Sequence, residues 1–270
     1  MRSTVRLSLI SLGLSGALLP SAMAAEQVRV GAYHFPPYVT KPEHSAPGGL
    51  LPELLVQLNA AQQDYRFTLV PTSVTRRYRD LTQARYDLIF FESPDWGWQN
   101  IALDKLNLHI SDAEVYVARA EAGRGQAYFD SLKGKRMALY NGYHYGFAGF
   151  NADQDYLTRT FNAVLTYSHD SNLLMLLHGR ADLSVVPRSY LHLYQQSNPQ
   201  ESQQLLISQR TDQVYHHHAL LRPGSPLSAQ NLAQLLERLR ATGALQQLLQ
   251  RYYLQSSEGV PPEQANPMQP

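Results

Sequence analysis

The sequence predicts an α/β fold made of two successive units, on three observations. Short apolar, β-branched runs alternate with stretches whose leucines recur at helical spacing. That alternation starts near residue 28 and again near residue 137, on either side of a polar break. Once a 24-residue leader is set aside, 246 of the 270 residues remain, enough for one large domain or two small ones.

Residues 28–32 read as a buried strand, short and β-branched, stopped by Pro36 and Pro37, which cannot continue a ladder. Leu50, Leu51, Leu54, Leu55 and Leu58 share one helical face, and Pro52 is tolerated in the first turn. Residues 66–70 form the next strand, 77–84 a short helix and 87–91 a third strand. This β-α-β-α-β order is that of a mostly parallel sheet with helices on both faces. A strand at 115–118 leaves the first unit, and the polar stretch 121–126 is a surface loop. The second unit runs from a strand at 137–140, through a helix carrying Leu173, Leu174, Leu176 and Leu177, to a strand at 183–186. Residues 215–221 return, and two helices follow, with Leu232, Leu235, Leu236 and Leu239, then Leu245, Leu248 and Leu249, interrupted at Gly243. The Pro-, Gln-, Ser- and Glu-rich tail, 255–270, has little to bury and is expected to be disordered.

Residues 1–24 have the anatomy of a secretory signal: Arg2 and Arg6, an apolar stretch at 7–19, then Ala22-Met23-Ala24 as a cleavage site. Cleavage after Ala24 implies a soluble periplasmic protein. The chain has no cysteine, which excludes a thioether lipid anchor and any disulfide. After cleavage 21 basic residues face 22 acidic ones, a balance that argues against nucleic acid. Seventeen tyrosines suit a cleft that opens and closes around a solute.

Six motifs occur in a fixed order: VRVGAYHFPPY at 28–38, GLLPELL at 49–55, YDLIFF at 86–91, LKGKRMA at 132–138, GRADL at 179–183, and the closing amphipathic helix. The order resembles the family 3 extracellular solute-binding proteins, the amino-acid-type binding proteins of bacterial importers. That resemblance implies a two-lobed, type II periplasmic-binding-protein-like fold with two crossing strands. It implies lobes at 25–114 plus 213–254 and at 115–212, ligand held between them, and a monomer. The implied partners are a small-molecule ligand and an inner-membrane ABC permease, or a sensory receptor.

Ligands of open α/β sheets sit beyond the carboxyl ends of strands, here the loops after Ala32, Phe91, Tyr140 and Val186. The arginine that the resemblance implies for a ligand carboxylate falls at Gln99, and the acid for an ammonium falls at Pro187, followed by Arg188. The hydroxyl-capped helix start is Gly142-Tyr143-His144. A free α-amino acid in the usual pose would therefore leave charges unpaired, at several kcal/mol. Candidate site residues are Phe35, at the stacking position, with Tyr33, Tyr38, Phe91, Tyr140 and Tyr143 as further walls. Glu92 is the candidate for a cationic group, Arg76 (in preference to its neighbour Arg77) or Arg188 for an anionic one, and His144 joins them.

Two alternative functions share this fold. A cyclohexadienyl dehydratase would use Glu92 and His144 as acid and base, although no dedicated catalytic motif is present. A sensory module would present its ligand to a membrane receptor. No cofactor is expected. In His216-His217-His218 only the first and third share a strand face and no third ligand is near, so a structural role is expected rather than a metal. Asp170 is expected to cap the helix that follows it.

Overall fold

A computed structural model describes residues 24–256. The expected signal, up to residue 23, and the tail from residue 257 lie outside the described residues.

The first unit opens with β1 (Glu26–Ala32), α1 (Leu50–Ala60), β2 (Tyr65–Pro71), α2 (Arg77–Thr82) and β3 (Leu88–Glu92). The five leucines expected on one face of α1 are all buried. The long strand β4 (Asp104–Arg119) then leads into β5 (Met137–Tyr140), α3 (Gln154–Phe161), β6 (Ala163–Thr166), α4 (His169–Leu177), β7 (Leu183–Pro187), α5 (Arg188–Ser197) and α6 (Pro199–Ser202). A second long strand, β8 (Leu205–Leu221), returns, followed by α7 (Ala229–Ala241), α8 (Ala244–Arg251) and β9 (Gln255–Ser256). Gly243 separates the last two helices at φ 74°, a left-handed turn suited to glycine.

All nine strands share one sheet, in the order β2-β1-β3-β8-β4-β7-β5-β6, with β9 beside β4. β1 pairs in parallel with β2 and β3 at one end, and β5 with β6 and β7 at the other. The middle is antiparallel: β3 on β8, β8 on β4, β4 on β7. Two parallel ends are thus joined by one antiparallel pair of crossing strands. The proposed lobe junctions, 114/115 and 212/213, fall inside β4 and β8.

Both crossing strands are longer than the sequence pattern suggests, since 115–118 and 215–221 cover only part of each. The start of β4 alternates, with Leu106, Leu108 and Ile110 turned inward between more exposed polar residues, as half-buried strands do. The ladder shifts where Glu114 faces Gln213 and Val115 faces Thr211, which leaves Asp212 bulged out of register. Two further expectations are corrected. Ser168, not Asp170, caps α4, and Asp170 instead accepts a hydrogen bond from the Tyr190 hydroxyl at 2.8 Å. The first two residues of the expected tail, Gln255 and Ser256, pair with Ser111 and Ile110.

Candidate functional site

A pocket lies where the two units and the crossing strands converge, with about 270 Å³ of space including its open mouth. The first unit supplies Tyr33 and Phe35 after β1, Val74 and Arg77 at the start of α2, and Trp96 after β3. The second unit supplies Gly142, Tyr143 and His144 after β5, and the crossing strands supply Glu114 and Gln213. Gly142 has φ 80°, and a Cβ there would lie 2.9 Å from Val74 Cγ1, so glycine permits the close approach of the two sides.

Aromatic rings form the walls. Phe35 stacks on Tyr33 at 5.7 Å between centroids and meets the edges of Trp96 and Tyr143 at 6.0 and 5.6 Å. Tyr140 stacks behind Tyr143 at 4.4 Å, and its hydroxyl reaches the His34 carbonyl at 3.3 Å, tying second unit to first. Tyr143 also lies 3.3 Å from Nε2 of the buried His169, whose pKa burial lowers to about 3. Opposite, Gln213 donates to the His144 carbonyl at 2.6 Å and accepts from the Trp96 indole at 3.4 Å.

Arg77 is the cation of the pocket, and it is already engaged. It is 1% exposed, with Nε 3.3 Å from Glu92 Oε1 and another nitrogen donating to the Val74 carbonyl. Its guanidinium lies over the rings of Tyr78 and Tyr33, at 4.3 and 5.1 Å. Glu92 is fully buried behind this arginine and accepts from the Trp98 indole at 2.8 Å. Burial pushes the Glu92 pKa up, while Arg77 and Trp98 pull it back toward the charged form.

Glu114 contrasts with it. The side chain is 2% exposed and lines the pocket, and its Oε2 has no hydrogen-bond partner. Burial raises its pKa well above the usual carboxylate range, and the nearby Asp112 and Asp212 raise it further. Those neighbours are well served. Asp112 accepts from the hydroxyls of Tyr38 and Ser189 at 2.8 and 2.5 Å and from two backbone amides. Asp212, at the bulge, accepts from the amides of Gly146 and Phe147 and from the Tyr116 hydroxyl. His144 is largely buried, which lowers its pKa to about 4 and leaves it neutral at pH 7.

Of the ten candidate residues, Tyr33, Phe35, Tyr143 and His144 line the pocket. Tyr38, Phe91, Glu92 and Tyr140 are buried but not among the lining residues. Phe91 sits at φ 61°, beside the shift in the β3–β8 ladder, and packs on Tyr38 and His217 at 4.9 and 5.6 Å. Arg76 and Arg188 are exposed, Arg76 with its Nε on the Ser73 hydroxyl. Gln99, where the resemblance implies an arginine, is also exposed and bonds the Asp95 carbonyl. Sequence reasoning missed Trp96, Glu114, Gln213 and Val74, and preferred Arg76 to Arg77. A helical-face argument favours Arg77, four residues before the buried Leu81.

His217 is buried among Tyr38, Phe91, Trp96, Tyr215 and Phe35, its ring nitrogens without a side-chain partner and next to the Phe91 backbone. Among the described residues no three potential metal ligands converge.

Two α/β units closing on a lined pocket, joined by paired crossing strands, define the two-lobed periplasmic-binding-protein class. Over residues 110–265, more than half of the chain, the sequence matches the family described as ABC transporter, phosphonate, periplasmic substrate-binding protein, and the chain belongs to it. The family binds small ligands, works with ABC permeases and implies a periplasmic location. No described helix is long and apolar enough to cross a membrane.

Solved structures agree in fold. The substrate-binding protein of an amino acid ABC transporter superposes with a TM-score of 0.63 at 14% identity, over 84% of this chain and 99% of that one. A histidine kinase sensor domain with similarity to periplasmic binding proteins gives 0.65 at 19%, over 85% and 96%. The ancestral amino acid-binding protein AncCDT-1, a precursor of cyclohexadienyl dehydratase, gives 0.63 at 14%, over 84% and 95%. No curated protein matches the sequence.

Proposed function

We propose that this chain is the solute-binding component of an ABC importer, of the family 3 type, exported by its leader and acting as a periplasmic monomer. Its lobes, 25–114 plus 213–254 and 115–212, close on a small polar or aromatic solute that is not a free α-amino acid in the usual pose. The observation that carries this reading is the pocket itself, lined by Tyr33, Phe35 and Trp96 from one side and by Tyr143 and His144 from the other. A carboxylate clamp has no free arginine there, because Gln99 is exposed and Arg77 is held by Glu92.

The dehydratase alternative needs Glu92 and His144 to act on one substrate. Glu92 is sealed behind Arg77 and Trp98 and does not line the pocket, which favours binding over catalysis.

Binding is tested by thermal shift of the mature protein against amines, organic acids, neutral aromatics and amino acids. A ligand at a hundredfold excess over its Kd should stabilise the fold by about 2.7 kcal/mol. Phe35→Leu, which keeps apolar bulk but removes the ring face, should abolish most of that shift. Full affinity in this variant would move the site elsewhere.

A further inference from the structure

We propose that the solute is a cation, a small organic amine or ammonium, held by the Glu114 carboxylate between the aromatic walls of the pocket. This rests on the reading of the cleft as a solute site and names the charge of what enters it.

The central observation is an asymmetry among three acids on the crossing strands, Asp112 and Glu114 buried and Asp212 half-buried. Asp112 and Asp212 each accept several hydrogen bonds from hydroxyls and backbone amides. Glu114, in register with Gln213 beside the bulge, has an oxygen with no partner and lines the pocket. Buried carboxylates normally find donors, and an ionised one without any is strongly penalised. The surrounding fold satisfies two acids and leaves the third, a residue that lines the pocket, with an oxygen that no protein group serves.

The rest of the lining agrees with a positive ligand. Tyr33, Phe35, Trp96 and Tyr143 carry π-systems whose faces attract cations, most strongly where water is excluded. Arg77 contributes no free positive charge, because Glu92 lies 3.3 Å from its Nε. His144 is neutral at pH 7, its pKa lowered to about 4 by burial and then by Arg77. Arg77 and Glu92 form an ion pair, so the acid of the pocket left without a counter-charge is Glu114, whose raised pKa an incoming cation would bring back down. An incoming phosphonate or carboxylate would meet an acid and no available cation.

The test uses the mature protein and matched probes of three charges. Ethylamine, choline and benzylamine are the cations, ethanol and benzyl alcohol the neutral partners, and benzoate and methylphosphonate the anions. Thermal shift and calorimetry on wild type should find binding among the amines only. Glu114→Gln should weaken the best amine by about 10- to 100-fold, the range set by a hydrogen bond to a charged group. Without ligand, the same variant should melt above wild type, because it removes an uncompensated buried acid. Glu114→Asp, which keeps the charge on a shorter arm, should still prefer amines to their neutral partners.

Binding of the anions or neutral probes, equal in wild type and Glu114→Gln, overturns the cation inference and leaves the solute-binding reading intact. So does an amine whose affinity the Gln substitution does not change. A ligand-free Glu114→Gln protein that melts below wild type also overturns it, since Glu114 would then have a structural partner. If no probe of any charge shifts wild type, the solute-binding reading falls and the inference falls with it.

Discussion

Glu92 and Glu114 are both glutamates at the centre of the molecule, both essentially without solvent contact, both with pKa values raised by burial. Each has one oxygen without a hydrogen bond, but that of Glu92 lies 3.3 Å from Arg77 Nε, whereas Glu114, which lines the pocket, has no cation beside it among the described residues. The difference shows that burial alone does not mark a functional acid. What separates the two is whether the fold itself has supplied a counter-charge. Glu92 with Arg77 is a neutral wall element, whereas Glu114 is an open valence.

The largest effect should come from removing the partner that Glu114 lacks and Glu92 has. Arg77→Met strands the Glu92 carboxylate and should cost about 3–5 kcal/mol in urea unfolding. Adding Glu92→Gln should recover at least half of that loss, and failure to do so would mean that Arg77 acts through packing instead.

An intermediate effect separates groups that are unpartnered beside the pocket from those that are unpartnered within it. His217 has no side-chain partner for either ring nitrogen and is not among the lining residues, and burial lowers its pKa to about 3 against an upward pull from the Phe91 backbone. An unfolded histidine titrates near 6.5, so the folded state resists protonation between those values. The stability this group allows is full above about pH 6.5 and is lost as pH falls toward 3. His217→Phe removes that loss. Relative to the variant, wild type should weaken by about 2 kcal/mol between pH 7 and pH 5, at roughly 1.4 kcal/mol per pH unit. An unchanged difference would show that a hydrogen bond, for example to the Phe91 backbone, offsets the cost of charging His217.

The smallest effect belongs to the exposed arginines. Arg76→Ala and Arg188→Ala should each change stability by no more than about 0.5 kcal/mol. Ligand affinity should stay within about twofold, a change worth roughly 0.4 kcal/mol. A larger loss of affinity at either position would bring a free cation back to the pocket and weaken the contrast between the two glutamates.

Much of the fold was legible because it is periodic. The α1 leucines, the apolar strands near residues 30, 89, 139 and 185, and the break at Gly243 all announce themselves locally. Parts of each crossing strand did not, because β4 and β8 mix polar residues, some of them buried, into the run and so lose a clear alternation. The site was legible only in part. Tyr33, Phe35, Tyr143 and His144 follow strand ends, where a rule about carboxyl edges finds them. Glu114 lies inside a strand and is chosen by pairing register. Its β7 partner is Pro187, the position at which an acid was sought and missed. No local pattern reveals that a residue seventy positions away supplies a neighbouring place in the sheet. Arg77 shares a helical face with Leu81 while Arg76 sits at the N-cap, and in so short a helix that one spacing is the whole of the local signal.

The order of the sheet also sets the timetable by which the molecule can be completed. Strand β3 has its own unit on one side only, and its other neighbour is β8, whose end at Leu221 meets Leu88. The first unit therefore keeps an open, apolar edge until the chain has been made through the whole second unit and back. Pairings this distant in sequence close slowly, because a long loop must be ordered before any contact repays it. A chain exported unfolded would cross the membrane with its first half unable to finish, and only the last third of the sequence releases it.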